Sequence, residues 1–223
     1  MARVIAIDGP SGSGKSSTSR RVGQALGFLH VDSGALYRIM TWQCLAQGVE
    51  TSDPAAVAAC AERVQVECRP ENGALAYYVD GEAPGARIRT PEINAHASPV
   101  VTVKAVRDRI TALLRGMTRY GDLVVEGRDI TTVVFPDSPA RFYLTASPEA
   151  RARRRQLEEV ATGVANQSAE AVKASLLARD AIDSTRAYAP LRKADGVLEI
   201  DSTQLTLDQV VETVLDALPA GWR

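Results

Sequence analysis

The chain has 223 residues, a formal net charge of −1, 45% apolar and 24% charged side chains, enough for one compact domain with a full core, which excludes intrinsic disorder and collagen-like composition. Of its 26 basic residues 22 are Arg, and without an overall positive excess the chain is not expected to coat nucleic acid, so any basic surface must be local. No apolar run approaches the roughly 18 residues that span a bilayer, and the N-terminus lacks a signal-type pattern, so a cytoplasmic protein is expected. Cys44, Cys60 and Cys68 lack C-x-x-C spacing, which predicts three structural thiols, and with only His30 and His96 a His-rich metal cluster is impossible.

Short apolar runs alternate with longer helical stretches, the pattern of βα units around a parallel sheet. The first, Val4-Ile5-Ala6-Ile7, leads into Gly9-Pro10-Ser11-Gly12-Ser13-Gly14-Lys15-Ser16 and Ser17, a complete G-x-x-x-x-G-K-[ST] ahead of a helical stretch starting near Lys15. Its glycines let the backbone curl so that N–H groups face a polyphosphate, and the helix start adds about half a positive charge. Lys15 is then placed to reach the β- and γ-phosphates of ATP and Ser16 to ligate Mg²⁺. The D-x-x-G and N-K-x-D motifs of GTPase switches match no stretch, and motor ATPases bring larger domains, so a small-molecule kinase is the leading reading.

The second run, Phe28-Leu29-His30-Val31, ends in Asp32-Ser33-Gly34-Ala35-Leu36-Tyr37-Arg38, at the carboxyl end of a strand, where open α/β sheets bind ligands. Taken alone, Asp32-Ser33-Gly34 is equally a turn and helix N-cap. Val64-Gln65-Val66-Glu67-Cys68 alternates with period two, and turn signals follow at Asn72-Gly73 and Asp80-Gly81. This predicts a small antiparallel insert, about residues 62–90, standing outside the parallel sheet. A third strand, Leu123-Val124-Val125, ends in Glu126-Gly127-Arg128-Asp129, which puts charge on the same rim. Arg141-Phe142-Tyr143-Leu144 and Val197-Leu198-Glu199-Ile200 complete five strands. Between them, Ser147-Pro148-Glu149 reads as an N-cap with Pro at the first helical position, opening an Arg-rich helix. Residues 162–168, with Gly, Asn and Ser, are expected to form a mobile loop.

The phosphate loop, Asp32 through Arg38, Ile88-Arg89-Thr90, Gly127-Arg128-Asp129 with Val133-Val134-Phe135-Pro136-Asp137, and Arg179-Asp180 through Asp183-Ser184-Thr185-Arg186 to Ala189-Pro190-Leu191 occur in this order over nearly the whole chain. Together they resemble the bacterial cytidylate kinases, which phosphorylate CMP and dCMP with ATP. Pattern and resemblance imply an α/β, P-loop NTPase-type three-layer fold: a five-stranded parallel sheet, a small antiparallel NMP-binding insert and a helical lid. The single domain divides into core 1–61, 98–147 and 187–223, insert about 62–97 and lid about 148–186.

The resemblance further implies that Ser33, Arg107 and Asp129 contact the cytosine ring, with Arg38 and Arg128 near the nucleotide. It places Arg179 and Asp183 on the sugar, Arg186 near the phosphates and Arg89, at the exit of the insert, on phosphate. Asp129 suits the exocyclic amine of cytosine and Arg107 its ring carbonyl and nitrogen, a pattern uracil answers poorly. Asp183 suits a ribose hydroxyl, or alternatively is a surface helix charge paired with Arg179 or Arg186. Two positions depart from the family pattern. Thr131 stands where a Gly follows Gly-Arg-Asp-Ile, and Lys104 where a Pro precedes Val106-Arg107, which bears on the turn beyond Asp129 and on the start of the helix carrying Arg107.

Arg151, Arg154 and Arg155 lie at i, i+3 and i+4 on one helical face. They are expected to form a lid that closes over ATP and brings arginines to the transferring group, Arg154 among them; the plainer reading is a solvated face paired with Glu149, Glu158 and Glu159. A monophosphate acceptor is mostly dianionic near pH 7, so no general base is needed, and catalysis falls to Lys15, Arg128, Arg154 and Arg186 with Mg²⁺. The expected reaction carries the γ-phosphoryl of ATP to CMP or dCMP, in a monomer without nucleic-acid or membrane partners. The alternatives are a P-loop kinase of another small acceptor (UMP, AMP or an alcohol such as shikimate) and a non-catalytic ATP-binding switch.

Overall fold

A computed structural model describes residues 2–161 and 168–223; all but Ser168 of the expected mobile loop lies outside the described residues. The first apolar run forms β1 (Val4–Asp8), buried along its whole length. Gly14 turns left-handed into α1 (Lys15–Leu26). Strand β2 (Leu29–Asp32) runs into α2 (Ser33–Ala46), whose N-terminus is capped by the Asp32 carboxylate accepting from the Ala35 N–H at 3.1 Å. After α3 (Pro54–Arg63) come β3 (Val66–Glu71) and β4 (Ala74–Val79), a hairpin whose turn residues Asn72 and Gly73 both take positive φ. A 3₁₀ turn (Gly85–Arg89), α4 (Pro91–Thr102) and α5 (Lys104–Gly116) follow. Lys104 opens α5 and pairs with Asp108 at 2.6 Å, so its departure from the family pattern leaves the helix carrying Arg107 intact. Then come β5 (Leu123–Gly127), a π-helical turn (Ile130–Val134), β6 (Ala140–Thr145), α6 (Pro148–Ala161), α7 (Ala169–Thr185), β7 (Leu198–Asp201) and α8 (Leu207–Asp216).

Among the described residues the sheet has seven strands, in the order β3-β4-β2-β5-β1-β6-β7. Its inner run β2-β5-β1-β6-β7 is the parallel five-stranded sheet that the sequence pattern predicts. The hairpin does not stand outside it. Strand β4 joins β2 in parallel at His30 and Ala74, and antiparallel β3 forms the edge. The reason is burial: Leu75, Tyr77 and Val79 lie on one side of β4 and are buried in the same core cluster as Val31, Leu36 and Ile39. The Tyr77 hydroxyl also donates to the Asp32 carbonyl at 3.1 Å.

Helices cover both faces, so β1 sends Val4 and Ala6 into one core and Ile5 and Ile7 into the other. The crossover order aligns Asp8 with Gly127 and Asp32 with Glu126. The carboxyl ends of β1, β2 and β5 therefore share one rim, where the phosphate loop, Ser33 and the Arg128-Asp129 pair emerge. Among the described residues no helix is long and apolar enough to cross a membrane.

Candidate active site

Beyond β1, Gly9 (φ 150°) passes so close to Leu144 that a Cβ there would lie 1.9 Å from its carbonyl oxygen. The loop from Ser11 to Ser17 lines a cleft of about 470 Å³, a size suited to small molecules; Gly9 and Pro10 shape the loop without lining it. Lys15 folds back, its Nζ donating to the Pro10 carbonyl at 2.7 Å. Burial, helped by the Arg128 charge, pushes its pKa down to about 7 against the pull of Glu126, Asp8 and Asp180.

Asp8 is wholly buried beneath the loop. Its carboxylate accepts from the Ile130 N–H at 2.9 Å, the Thr131 N–H at 2.7 Å and the Thr131 hydroxyl at 2.6 Å. Burial pushes its pKa up to about 6 despite these bonds. The Thr131 departure therefore fastens the turn beyond Asp129 to the base of the phosphate loop. Thr131→Val keeps the shape and deletes the hydroxyl; it is expected to cost about 1.5–3 kcal/mol, the range for a hydrogen bond to a charged group. The check is a lower urea midpoint with an unchanged m-value.

At the other end, Arg107 and Asp129 form an ion pair (Nη2–Oδ2, 2.5 Å) with each side chain 4% exposed. Arg107 also lies over the Tyr37 ring and donates to the Val101 carbonyl. Asp183 accepts from Arg128 and from Arg186, each at 3.0 Å, and is 7% exposed, so it is not a surface charge. Arg186 Nε donates to the carbonyl of Ala189, which takes the left-handed conformation (φ 48°). The Ser33 hydroxyl donates to the Glu126 carbonyl at 2.6 Å, which leaves its oxygen as an acceptor. Among the described residues Arg107 Nε and Arg186 Nη2 are buried donors without a hydrogen-bond partner, although Arg186 Nη2 stands 3.9 Å from Asp129 Oδ1 as an ion pair.

Arg89 reaches the Asp32 carboxylate at 3.2 Å. Burial opposes the Asp32 charge, but Arg38, Arg89 and His30 outweigh it and hold the carboxyl below its usual range. The Arg38 and Arg179 guanidinium groups make no hydrogen bond or ion pair among the described residues. Burial first, then repulsion from Arg128 and Arg38, pushes the Arg179 pKa down to about 10; Arg38 is lowered the same way, with Arg89, Arg128 and Arg155 opposing its charge. Asp32 and Asp183 offset only part of this crowding, so the electrostatics of this stretch favour an anion.

Arg151, Arg154 and Arg155, expected together on a lid, do not share one environment. Arg154 lines the cleft and donates to Ser202 Oγ at 2.9 Å, to the Ser202 carbonyl at 2.6 Å and to the Ser13 carbonyl at 3.4 Å. Arg155 lines it too and pairs with Glu158 at 2.9 Å. Arg151 does not line it: packed against the loop at Ser11, it donates to Asp180 and to the Ser11 and Ala146 carbonyls. Glu149 pairs with Lys173 rather than with these arginines.

Every other site residue expected from the sequence lines the cleft: Ser33, Arg38, Arg89, Arg107, Arg128, Asp129, Arg179, Asp183 and Arg186. Tyr37, Ser98, Glu126 and Ser202 line it as well, and of these the sequence marks only Glu126, as a charge on the rim, and Tyr37, as a member of the Asp32–Arg38 block, without a role for either. Glu126 and Ser202 follow from strand ends at the rim, whereas Tyr37 and Ser98 project from helices with no distinguishing spacing.

Comparison with known proteins gives the chain a family. The Cytidylate kinase family model matches residues 5–220. A cytidylate kinase of Streptomyces avermitilis is 46% identical over 216 residues, covering 96% of this chain and 91% of that one. A cytidylate kinase of Shouchella clausii is 40% identical over 212 residues, with 95% and 94% covered. A crystal structure of an uncharacterized protein from Eubacterium ventriosum superposes with a TM-score of 0.51 at 10% identity over 96% of each chain, a likeness of fold. With a match that runs from β1 past α8 and takes in the phosphate loop, the charged strand ends and α7, the chain belongs to the cytidylate kinase family.

Proposed function

We propose that the protein transfers the γ-phosphoryl of ATP to CMP or dCMP, giving ADP and CDP or dCDP. The observation that carries this reading is the polarity of the base end: Ser33 Oγ and Asp129 offer acceptors, and Arg107 offers donors. Cytosine presents an amine that donates beside a ring nitrogen and carbonyl that accept; uracil inverts the first two. Arg38, Arg89, Arg128 and Arg186 would neutralise phosphate, and Asp183 has lone pairs left for a ribose hydroxyl. Arg179, expected on the sugar, stands among Arg38 and Arg128 and is better placed for phosphate.

ATP would sit on the phosphate loop, with Lys15 and Arg154 beside its transferable end. Ser16 is exposed and lines the cleft, so its hydroxyl fits a Mg²⁺ that arrives on the nucleotide. Among the described residues no cluster of three or more His, Cys, Asp or Glu could hold the ion by itself. When bound, the ion would supply charge neutralisation at the phosphate oxygens. No side chain has to take a proton, because the acceptor phosphate is already mostly dianionic. Asp129 and Asp183 are already engaged in arginine pairs. The near-neutral net charge suits small nucleotides rather than nucleic acid, and the cleft is built within one chain, as a cytoplasmic monomer would need.

The test is ADP production from ATP with CMP, dCMP, UMP, AMP or shikimate as acceptor. CMP and dCMP should support turnover. Nucleotide binding without acceptor-dependent ADP would instead mark a non-catalytic switch.

Lys15 also links ATP binding to pH. With its pKa near 7 it is mostly neutral at pH 8 in the free protein, and a polyphosphate beside it favours the charged form, so ATP binding should take up a proton. Affinity should then fall by up to about tenfold per pH unit above pH 7.5. Calorimetry at pH 8.5 in buffers of different ionisation enthalpy should detect the uptake in the unaltered protein and lose it in Lys15→Met.

A further inference from the structure

The apex of the phosphate loop is gripped from outside the cleft. Ser11 gives its N–H to Asp180 Oδ1 at 3.1 Å, and its carbonyl accepts from Arg151 Nη1, also at 3.1 Å. Arg151 Nη1 donates as well to Asp180 Oδ2, and its Nε donates to the Ala146 carbonyl at 3.1 Å. One guanidinium thus ties the end of β6, the phosphate loop and α7 together. Both side chains are largely buried, 6% and 15% exposed. The backbone of α6 lies directly on the loop, for a Cβ at Gly12 would stand 3.0 Å from the Arg151 carbonyl oxygen.

We propose that Arg151 and Asp180 are positioning residues for the ATP end of the cleft, clamping Ser11 so that the loop's N–H groups and Lys15 keep the curve a polyphosphate needs. They also anchor the lid helices α6 and α7 at their base. Arg151 is therefore not a phosphate ligand, although its spacing groups it with Arg154 and Arg155. Only a planar fork meets two carbonyls and a carboxylate at once; a lysine at 151 keeps the charge and loses that geometry. The proposal rests on the reading that Gly9 to Ser16 bind ATP.

A double-mutant cycle with initial-rate kinetics tests it, using Arg151→Ala, Asp180→Ala and the pair. Arg151→Lys and Asp180→Asn serve as milder variants should the alanines fail to fold. Each single change should raise the KM for ATP by about 10- to 100-fold, the scale of a misplaced reacting group, with the KM for CMP within twofold. The double change should cost no more than the worse single one. Arg151→Lys should recover less than half of the loss on a logarithmic scale. Three results would overturn the clamp: additive losses, an Asp180 change without effect on ATP, or a lower melting temperature with the KM for ATP unmoved. Lys15→Met, run alongside, separates the two claims. If it kills turnover while the clamp variants bind ATP normally, only the clamp is wrong; if it retains full turnover, the ATP reading itself has failed.

Discussion

Replacing Lys15 with Met should lower kcat by about 10³-fold, the upper range for losing one preorganised donor at a developing charge, while the protein remains folded. Lys15 is the sole lysine lining the cleft, so no neighbouring ammonium can substitute. Its Nζ rests on the Pro10 carbonyl, a bond that on the proposed reading would be exchanged for phosphate. Burial also makes the charged form costly. The folded-state pKa lies below the usual lysine value, so the native state binds fewer protons than the unfolded one between about pH 7 and 10.5, and Lys15 favours folding more as pH rises through that window. Lys15→Met should flatten this rise in a series of melting temperatures. A variant with full activity would remove the phosphate loop from the mechanism.

The second large effect is expected at Asp129. Asp129→Ala should reduce kcat/KM for CMP by about 10⁴-fold, the scale at which sites built on hydrogen bonds reject mismatched partners, and leave the KM for ATP within threefold. It should also destabilise the fold by about 3–5 kcal/mol, because Arg107 is left buried without its counter-charge. Stability and recognition can be separated. The double change Arg107→Met with Asp129→Leu replaces the pair by apolar groups of similar size, and should recover much of the melting temperature but none of the CMP activity. Loss of ATP affinity with CMP handling preserved would mean that the two ends of the cleft have been assigned in reverse.

Local chemistry made much of this legible in the chain itself. Continuous apolar runs marked the five parallel strands, and the glycine spacing marked the phosphate loop, because both are set by short-range constraints. Where β3 and β4 would dock was not legible: the alternation of Leu75, Tyr77 and Val79 announces a half-buried strand but not which surface buries it. Helical spacing likewise put Arg151, Arg154 and Arg155 on one face, and it is tertiary contact with Ser11 and Asp180 that separates the first from the other two. On its spacing alone Asp183 is equally a surface charge, whereas in the fold it is buried between Arg186 and Arg128, which approaches from β5's end. Thr131 shows the converse. A departure from the family pattern looked like a risk to the turn, yet its hydroxyl finds Asp8, a partner 123 residues away.

The central claim is that the base end of the cleft reads cytosine through acceptors at Ser33 and Asp129 and donors at Arg107. The most direct test is the ratio of kcat/KM for CMP to that for UMP, measured with saturating ATP on the unaltered protein. A ratio of at least about 10², the least expected when a site's buried polar groups are left unmatched by the wrong base, is the predicted result. Equal values for the two monophosphates would contradict it.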